Sequence, residues 1–245
     1  MSDAWLAGRV VENRHWTETL FSLRVEGAPL EFEAGQFVRL ALDVDGERVA
    51  RAFSFVNPPS DPVHEFFGVV VPEGPLSPRL ARLAPGQTLY LAKRAAGFLV
   101  LSEVPDAQTL WLLATGTGLA PFLSILRTDA PWRRFRRVVL VHAVRFAREL
   151  VYQELISGLK RPEFSYLSFV SREAHAGSLA GRIPAAIADG RLEAAAAVPL
   201  AAADSHVMLC GNPDMLRDAQ AALAERALRK HRRRAPGHIT VESFW

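Results

Sequence analysis

The chain has 245 residues, of which 49% are hydrophobic and 22% charged, an ordinary globular composition that excludes a disordered chain. Its single cysteine, Cys210, excludes an intramolecular disulfide and any four-cysteine zinc or iron–sulfur site, and the seven histidines are scattered, so no metal is expected. The N-terminus lacks a secretory leader pattern and no apolar run nears the ~18 residues of a membrane span, so a soluble cytoplasmic protein is expected.

The formal net charge is only +3, but the arginines are clustered. Arg133, Arg134, Arg136 and Arg137 form one group and the stretch Arg229 to Arg234 (RKHRRR) another. Both suit a solvated face with cations near a helix C-terminus, and equally the docking of an acidic protein. Phe135 is the one aromatic residue within the first group and the second has none, too few for an interleaved stacking surface, which argues against nucleic acid.

Residues 5–100 read as a small antiparallel barrel. Short apolar runs at Leu20–Val25, Phe37–Leu42, Phe66–Val71 and Thr88–Leu91 are separated by turn signals at Glu33-Ala34-Gly35, Asp45-Gly46 and Ala84-Pro85-Gly86. One helix interrupts them: Ser77 is a good N-cap, Pro78 a good first residue, and Pro85-Gly86 ends it.

After the barrel the pattern changes to alternating strands and helices. Strands fit Leu110–Ala114, Val138–Ala143, Tyr166–Val170 and His206–Cys210; helices fit Pro121–Leu126, Leu150–Gly158, Ile183–Ala188 and Pro213–Lys230. That order implies a parallel sheet with crossover helices. The alanine-rich stretch Ala194 to Ala203 reads as a surface connection. The expected division is a β-barrel domain over residues 1–102, a linker over 103–108 and an α/β nucleotide-binding domain over 109–245.

The stretch LWLLATGTGLAPFLSIL, Leu110 to Leu126, organises the second domain. It reads as strand, Thr115-Gly116-Thr117-Gly118 turn, then helix, an arrangement in which backbone N–H groups and a helix dipole can meet a phosphate or a flat ring. In the first domain Arg51-Ala52-Phe53-Ser54 follows a hairpin turn, and strand alternation places Arg51 and Phe53 on one face, Ala52 and Ser54 on the other. A guanidinium and an aromatic ring suit a ligand with an anionic part and a flat part, although an edge strand with a solvated Arg and a core Phe would look the same. Gly74-Pro75-Leu76-Ser77 leads into a helix start, a second position suited to an anion. The strand ending His142-Ala143-Val144-Arg145 lacks the acidic residue that receives a free ribose 2′-OH.

Nine segments in order, RAFSFVNPP, FFGVVVPEGPLSPRLARLAPG, AAGFLVL, ATGTGLAPFLSIL, VLVHAVR, VSRE, GSLAGRIP, HVMLCGNPDMLRD and ESFW, resemble bacterial ferredoxin/flavodoxin–NADP+ reductases over nearly the whole chain. The resemblance implies an N-terminal FAD-binding antiparallel β-barrel followed by an α/β parallel-sheet NADP(H)-binding domain, with the C-terminal tail returning to the flavin. It implies that Arg51, Ala52, Phe53, Ser54, Phe67, Val69, Val70, Leu76, Ser77, Thr117, Phe244 and Trp245 bind FAD. Of these, Arg51 and Ser77 would take the diphosphate, Phe53 would stack on the isoalloxazine, and Phe244 and Trp245 would cover isoalloxazine and adenine. Arg145, Arg172, Arg182 and Gly211 would bind NADP, the arginines at its 2′-phosphate. Ser54, Cys210 and Glu242 would shape the catalytic pocket, although a lone Cys also reads as a small buried hydrophobe. The tyrosine usual in the family is Phe at both 53 and 244. The implied activity is hydride transfer from NADPH to FAD, then single-electron transfer to the acidic carriers ferredoxin or flavodoxin, by a monomer. The alternative is a related reductase serving an oxygenase component or a ferric chelate.

Overall fold

The computed structural model describes residues 4–243. Twelve strands fall into two six-stranded sheets. Strands β1 (Trp5–His15), β2 (Leu20–Glu26), β3 (Phe37–Val44), β4 (Glu47–Ser54), β5 (His64–Val69) and β6 (Thr88–Ala92) form the first, in the order β4-β3-β6-β1-β2-β5. Every neighbouring pair in that order is antiparallel, and a further antiparallel bridge, Phe55 to Phe66, joins the two edges into a barrel. Its interior is filled by Val10, Phe21, Leu23, Val38, Leu40, Phe66, Leu89 and Leu91. The sequence hides β1 because its register shifts between Val10 and Glu12, and a bulge interrupts the alternation that marks a strand.

The helix α1 (Ser77–Leu80) is a single turn. Leu76 occupies its N-cap and Ser77 is its first residue, so the expected Ser77 cap does not form. The Ser77 hydroxyl instead accepts from the Val71 amide at 2.9 Å and closes the preceding loop.

The second sheet is built from β7 (Thr109–Thr115), β8 (Arg137–Val144), β9 (Phe164–Val170), β10 (Leu179–Ala180), β11 (Ser205–Gly211) and β12 (Ile239–Ser243), in the order β10-β9-β8-β7-β11-β12, all parallel. The order reverses between β7 and β11, and open parallel sheets bind ligands outside the carboxyl ends of their strands at that place. Helices α2 (Leu119–Leu126), α3 (Ala130–Arg134), α4 (Gln153–Gly158), α5 (Ile183–Ala188), α6 (Arg191–Ala196) and α7 (Pro213–Ala224) make the connections. Alternate residues of β7 supply two cores: Leu110, Leu112 and Ala114 pack with α2, while Trp111 and Leu113 pack with α5 and α7. Burial on both faces is why these strands read as continuous apolar runs.

Three sequence expectations are corrected. The helix expected over Leu150–Gly158 starts only at Gln153, because Tyr152 takes a left-handed backbone (φ 60°). The helix expected over Pro213–Lys230 stops at Ala224. Ala227 turns left-handed (φ 63°) and the Leu228 amide donates to the Leu223 carbonyl at 3.1 Å, a C-terminal cap of the Schellman type. The RKHRRR arginines therefore lie on the loop that returns the chain to β12 rather than on a helix. Within Ala194–Ala203, the first three residues complete α6 and both Val198 and Leu200 are buried.

The two sheets share one core rather than meeting through a wet linker. Every residue of α2 is buried, and its cluster takes in Leu20, Val56, Phe67 and Leu99 of the barrel. A helix apolar at every position but Ser124 suits that enclosed position. Ser124 of α2 donates to the Asn57 carbonyl at 2.7 Å, and Tyr152 donates to Glu65 at 2.8 Å. Among the described residues no helix is long and apolar enough to cross a membrane.

Candidate functional site

The site lies at the carboxyl ends of β7, β11 and β12, where the turn after β7 meets β5 of the barrel and Glu242 meets Gly97 beyond β6. Cross-strand pairs Leu40–Arg51 and Val38–Phe53 share one face of the β3–β4 hairpin, with Arg39–Ala52 and Phe37–Ser54 on the other, as alternation predicts. Arg51 is exposed and forms no ion pair with a described carboxylate; its guanidinium donates to the Ala50 carbonyl at 2.8 Å. Phe53 is half-buried and packs near Gly68, where an added Cβ would lie 3.0 Å from its ring. Ser54 is buried, and its hydroxyl has no partner among the described residues. An unpartnered buried hydroxyl is costly unless something beyond the described residues satisfies it.

From Ser54 the site runs across the two sheets through direct neighbours. Phe37, opposite Ser54, pairs its backbone with Ala96. At Gly97 a Cβ would lie 2.9 Å from Glu242 Oε1 and 3.1 Å from the Phe37 ring, so only glycine lets these groups close up. Glu242 on β12 is the register partner of Cys210 on β11. Burial raises the Glu242 carboxyl to about 7, and its Oε2 is a second atom with no partner among the described residues. Burial, and then the Glu242 charge, hold the Cys210 thiol well above its ordinary range, so it is protonated and packs as a small apolar group. The structure therefore brings Ser54, Cys210 and Glu242 into one continuous neighbourhood.

The glycine turn adjoins it. Residues 116–118 form a short 3-10 turn between β7 and α2, with Gly116 left-handed (φ 53°) and no atom within 4 Å of a Cβ built there. Gly118 lies so close to the Cys210 carbonyl that a Cβ would sit 2.4 Å from it. On the facing strand end, a Cβ on Gly211 would strike Thr115 Oγ1, and that same Oγ1 accepts from the Asn212 amide at 2.8 Å. Thr115 thus latches the two strand ends; sequence reasoning passed over it for Thr117. Asn212 goes on to cap α7, accepting from the amides of Asp214 and Met215.

Arg145, Arg172 and Arg182 follow the carboxyl ends of the adjacent strands β8, β9 and β10, and the Arg172 amide donates to the Arg145 carbonyl at 2.9 Å. All three side chains are exposed and none pairs with a described carboxylate. Other arginines of the clusters are already committed. Arg133 pairs with Asp129, Arg134 binds carbonyls of 101–105, and Arg233 grips Glu103 while stacking on the exposed Phe98. Phe67 turns its ring into the shared core against Tyr152, so it can offer a ligand only backbone. Val69, Val70 and Ser77 are partly open and Leu76 is buried. Phe244 and Trp245 lie outside the described residues.

Ser54 and Glu242 atoms without described partners, an open left-handed glycine turn and three exposed arginines at the carboxyl end of the sheet fit an elongated anionic ligand with a flat ring at its inner end. A barrel fused to a parallel nucleotide-binding sheet with such a seam is a two-domain oxidoreductase of the flavin and pyridine-nucleotide class. The oxidoreductase NAD-binding domain family matches residues 112–221. Flavodoxin/ferredoxin–NADP reductases of Shigella flexneri and Escherichia coli (strain K12) are 52% and 51% identical, each covering 98% of this chain and 99% of the relative. A ferredoxin NADP+ reductase from Neisseria gonorrhoeae, solved with bound FAD and NADP, superposes with a TM-score of 0.96 at 32% identity, covering 100% of both chains. The chain belongs to the flavodoxin/ferredoxin–NADP reductase family.

Proposed function

We propose that this chain takes a hydride from NADPH onto FAD and passes the electrons singly to ferredoxin or flavodoxin. The observation that carries the reading is the seam, where the glycine turn, Gly211 and Glu242 of the parallel sheet join Ser54 of the barrel. FAD, when bound, supplies the conversion of a two-electron donor into a one-electron source. The protein's task is then binding, orientation and proton control.

In this reading residues 1–102 hold FAD and 109–245 hold NADP(H), with 103–108 between them. Arg51 and the backbone at Leu76-Ser77 take the diphosphate, since a guanidinium and a turn of N–H groups both favour anions. Phe53 stacks, Ala52 and the Phe67–Val70 backbone line the ring, and the Ser54 hydroxyl donates to it. Thr117 borders both nucleotides. Arg145, Arg172 and Arg182 pair with the 2′-phosphate, which NADH lacks. Cys210 and Gly211 give a close, uncharged wall, and Glu242 holds or moves a proton near neutral pH. Phe244 and Trp245 are assigned the cover of isoalloxazine and adenine. We further propose that the protein acts as a cytoplasmic monomer without nucleic acid.

The test is direct. The purified protein should be yellow, and anaerobic NADPH should bleach its flavin absorbance; reduced carrier should then accumulate when ferredoxin or flavodoxin is added. Failure to retain FAD supplied in excess would end the proposal.

A further inference from the structure

We propose that His142 is a positioning residue that fixes the coenzyme turn at Gly116 through its Nε2–H, an inference resting on the reading of that turn as part of the NADPH site. β8 is otherwise apolar beyond its first residue, and His142 is its one interior polar side chain. It is fully buried, with Ala114 of β7 and Ser168 of β9 as its register partners. Its Nε2 lies 3.1 Å from the Gly116 carbonyl, directly beneath the turn. Burial holds the ring neutral, with its pKa near 4, so it carries a single proton. A carbonyl can only accept, which assigns that proton to Nε2 and leaves Nδ1, which has no partner among the described residues, as the bare nitrogen.

The turn needs such a tie. Gly116 has no side chain, adopts positive φ, and touches nothing at its Cβ position, so neither sterics nor packing selects its conformation among those open to glycine. Its carbonyl also accepts the Leu119 amide, the first rung leading into α2. The Ser168 hydroxyl is engaged with Ser178 at 2.7 Å. His142 therefore couples the buried floor of the sheet to the backbone that faces the coenzyme, without touching coenzyme itself.

The experiment compares His142→Leu with His142→Gln, which keeps an N–H donor. In the flavin-loaded protein the leucine variant should raise KM for NADPH and NADH by the same factor, about tenfold for one lost buried hydrogen bond, with kcat nearly unchanged. The Kd for NADP+, read from the flavin absorbance change, should move in parallel, and amide hydrogen exchange at Leu119 should accelerate. Glutamine should restore all three. Wild-type KM and exchange in the leucine variant, or a glutamine variant no better than leucine, would overturn the inference. Should His142→Leu fail to fold, His142→Met replaces it; if that also fails, a glutamine variant with raised KM overturns the inference and one with wild-type KM upholds it. A wild-type protein that binds no FAD would instead refute the functional reading, while exchange at Leu119 would still decide the tie.

Discussion

Glu242 keeps a proton in the folded state that the unfolded chain has already released. With its carboxyl raised from 4.5 to about 7, folding is favoured by this group below pH 4.5, and that contribution fades as pH climbs towards 7. Wild-type stability should therefore fall more between about pH 5 and about pH 8 than that of Glu242→Gln, which has nothing to titrate. Urea midpoints at the two pH values measure this, and parallel losses would show that the carboxyl is not desolvated. The exposed arginines give a different test. On the proposed 2′-phosphate assignment, Arg172→Ala and Arg182→Ala should each raise KM for NADPH about tenfold and leave NADH turnover alone, because a charge-assisted pair would be lost. Steady-state kinetics with both coenzymes check it. Arg51, Ser54, Cys210 and Glu242 are candidates that the sequence already offers, because residue type and motif order suggest their chemistry. Thr115, Gly97 and His142 are not, since each matters only through what a distant segment brings against it.

Elements were legible where one physical signal dominated. β7, β8 and β11 are doubly buried, and their apolar runs announce them. β12 has no comparable run; it becomes a strand by lying beside β11, and pairing of that kind leaves little local trace. The end of α7 misled for the opposite reason: AERALRK favours helix, but the left-handed Ala227 ends it so that the chain can turn back. The latch between the two strand ends is open to measurement. Thr115→Val keeps shape and removes the acceptor of the Asn212 amide, and should cost about 1 kcal/mol of stability while weakening NADP+ binding. Thermal melts and coenzyme titration would detect both losses.

At the scale of the molecule, barrel and sheet behave as one packed body through α2, Tyr152 and Glu65. Burial raises the Glu65 carboxyl even though the Tyr152 hydroxyl and Arg127 pull it down. Tyr152→Phe would leave that buried oxygen without its donor, and a loss of about 2 kcal/mol is expected, read as a lower urea midpoint with an unchanged slope. A two-step transition would mean that the halves unfold separately. Sequence pattern anticipated two domains; the fused core was hidden because its members are scattered across the chain.

The pairing of Cys210 with Glu242 carries a consequence for changes far from the site. Successive side chains on a strand point to opposite sides, so sliding β12 by a single position would exchange Glu242 for Val241 or Ser243 beside the thiol. Trimming or extending the loop at 231–237 by one residue thus risks turning the carboxyl to the wrong side of the sheet. Length in that remote basic loop, more than its charge, is what the active centre has reason to preserve.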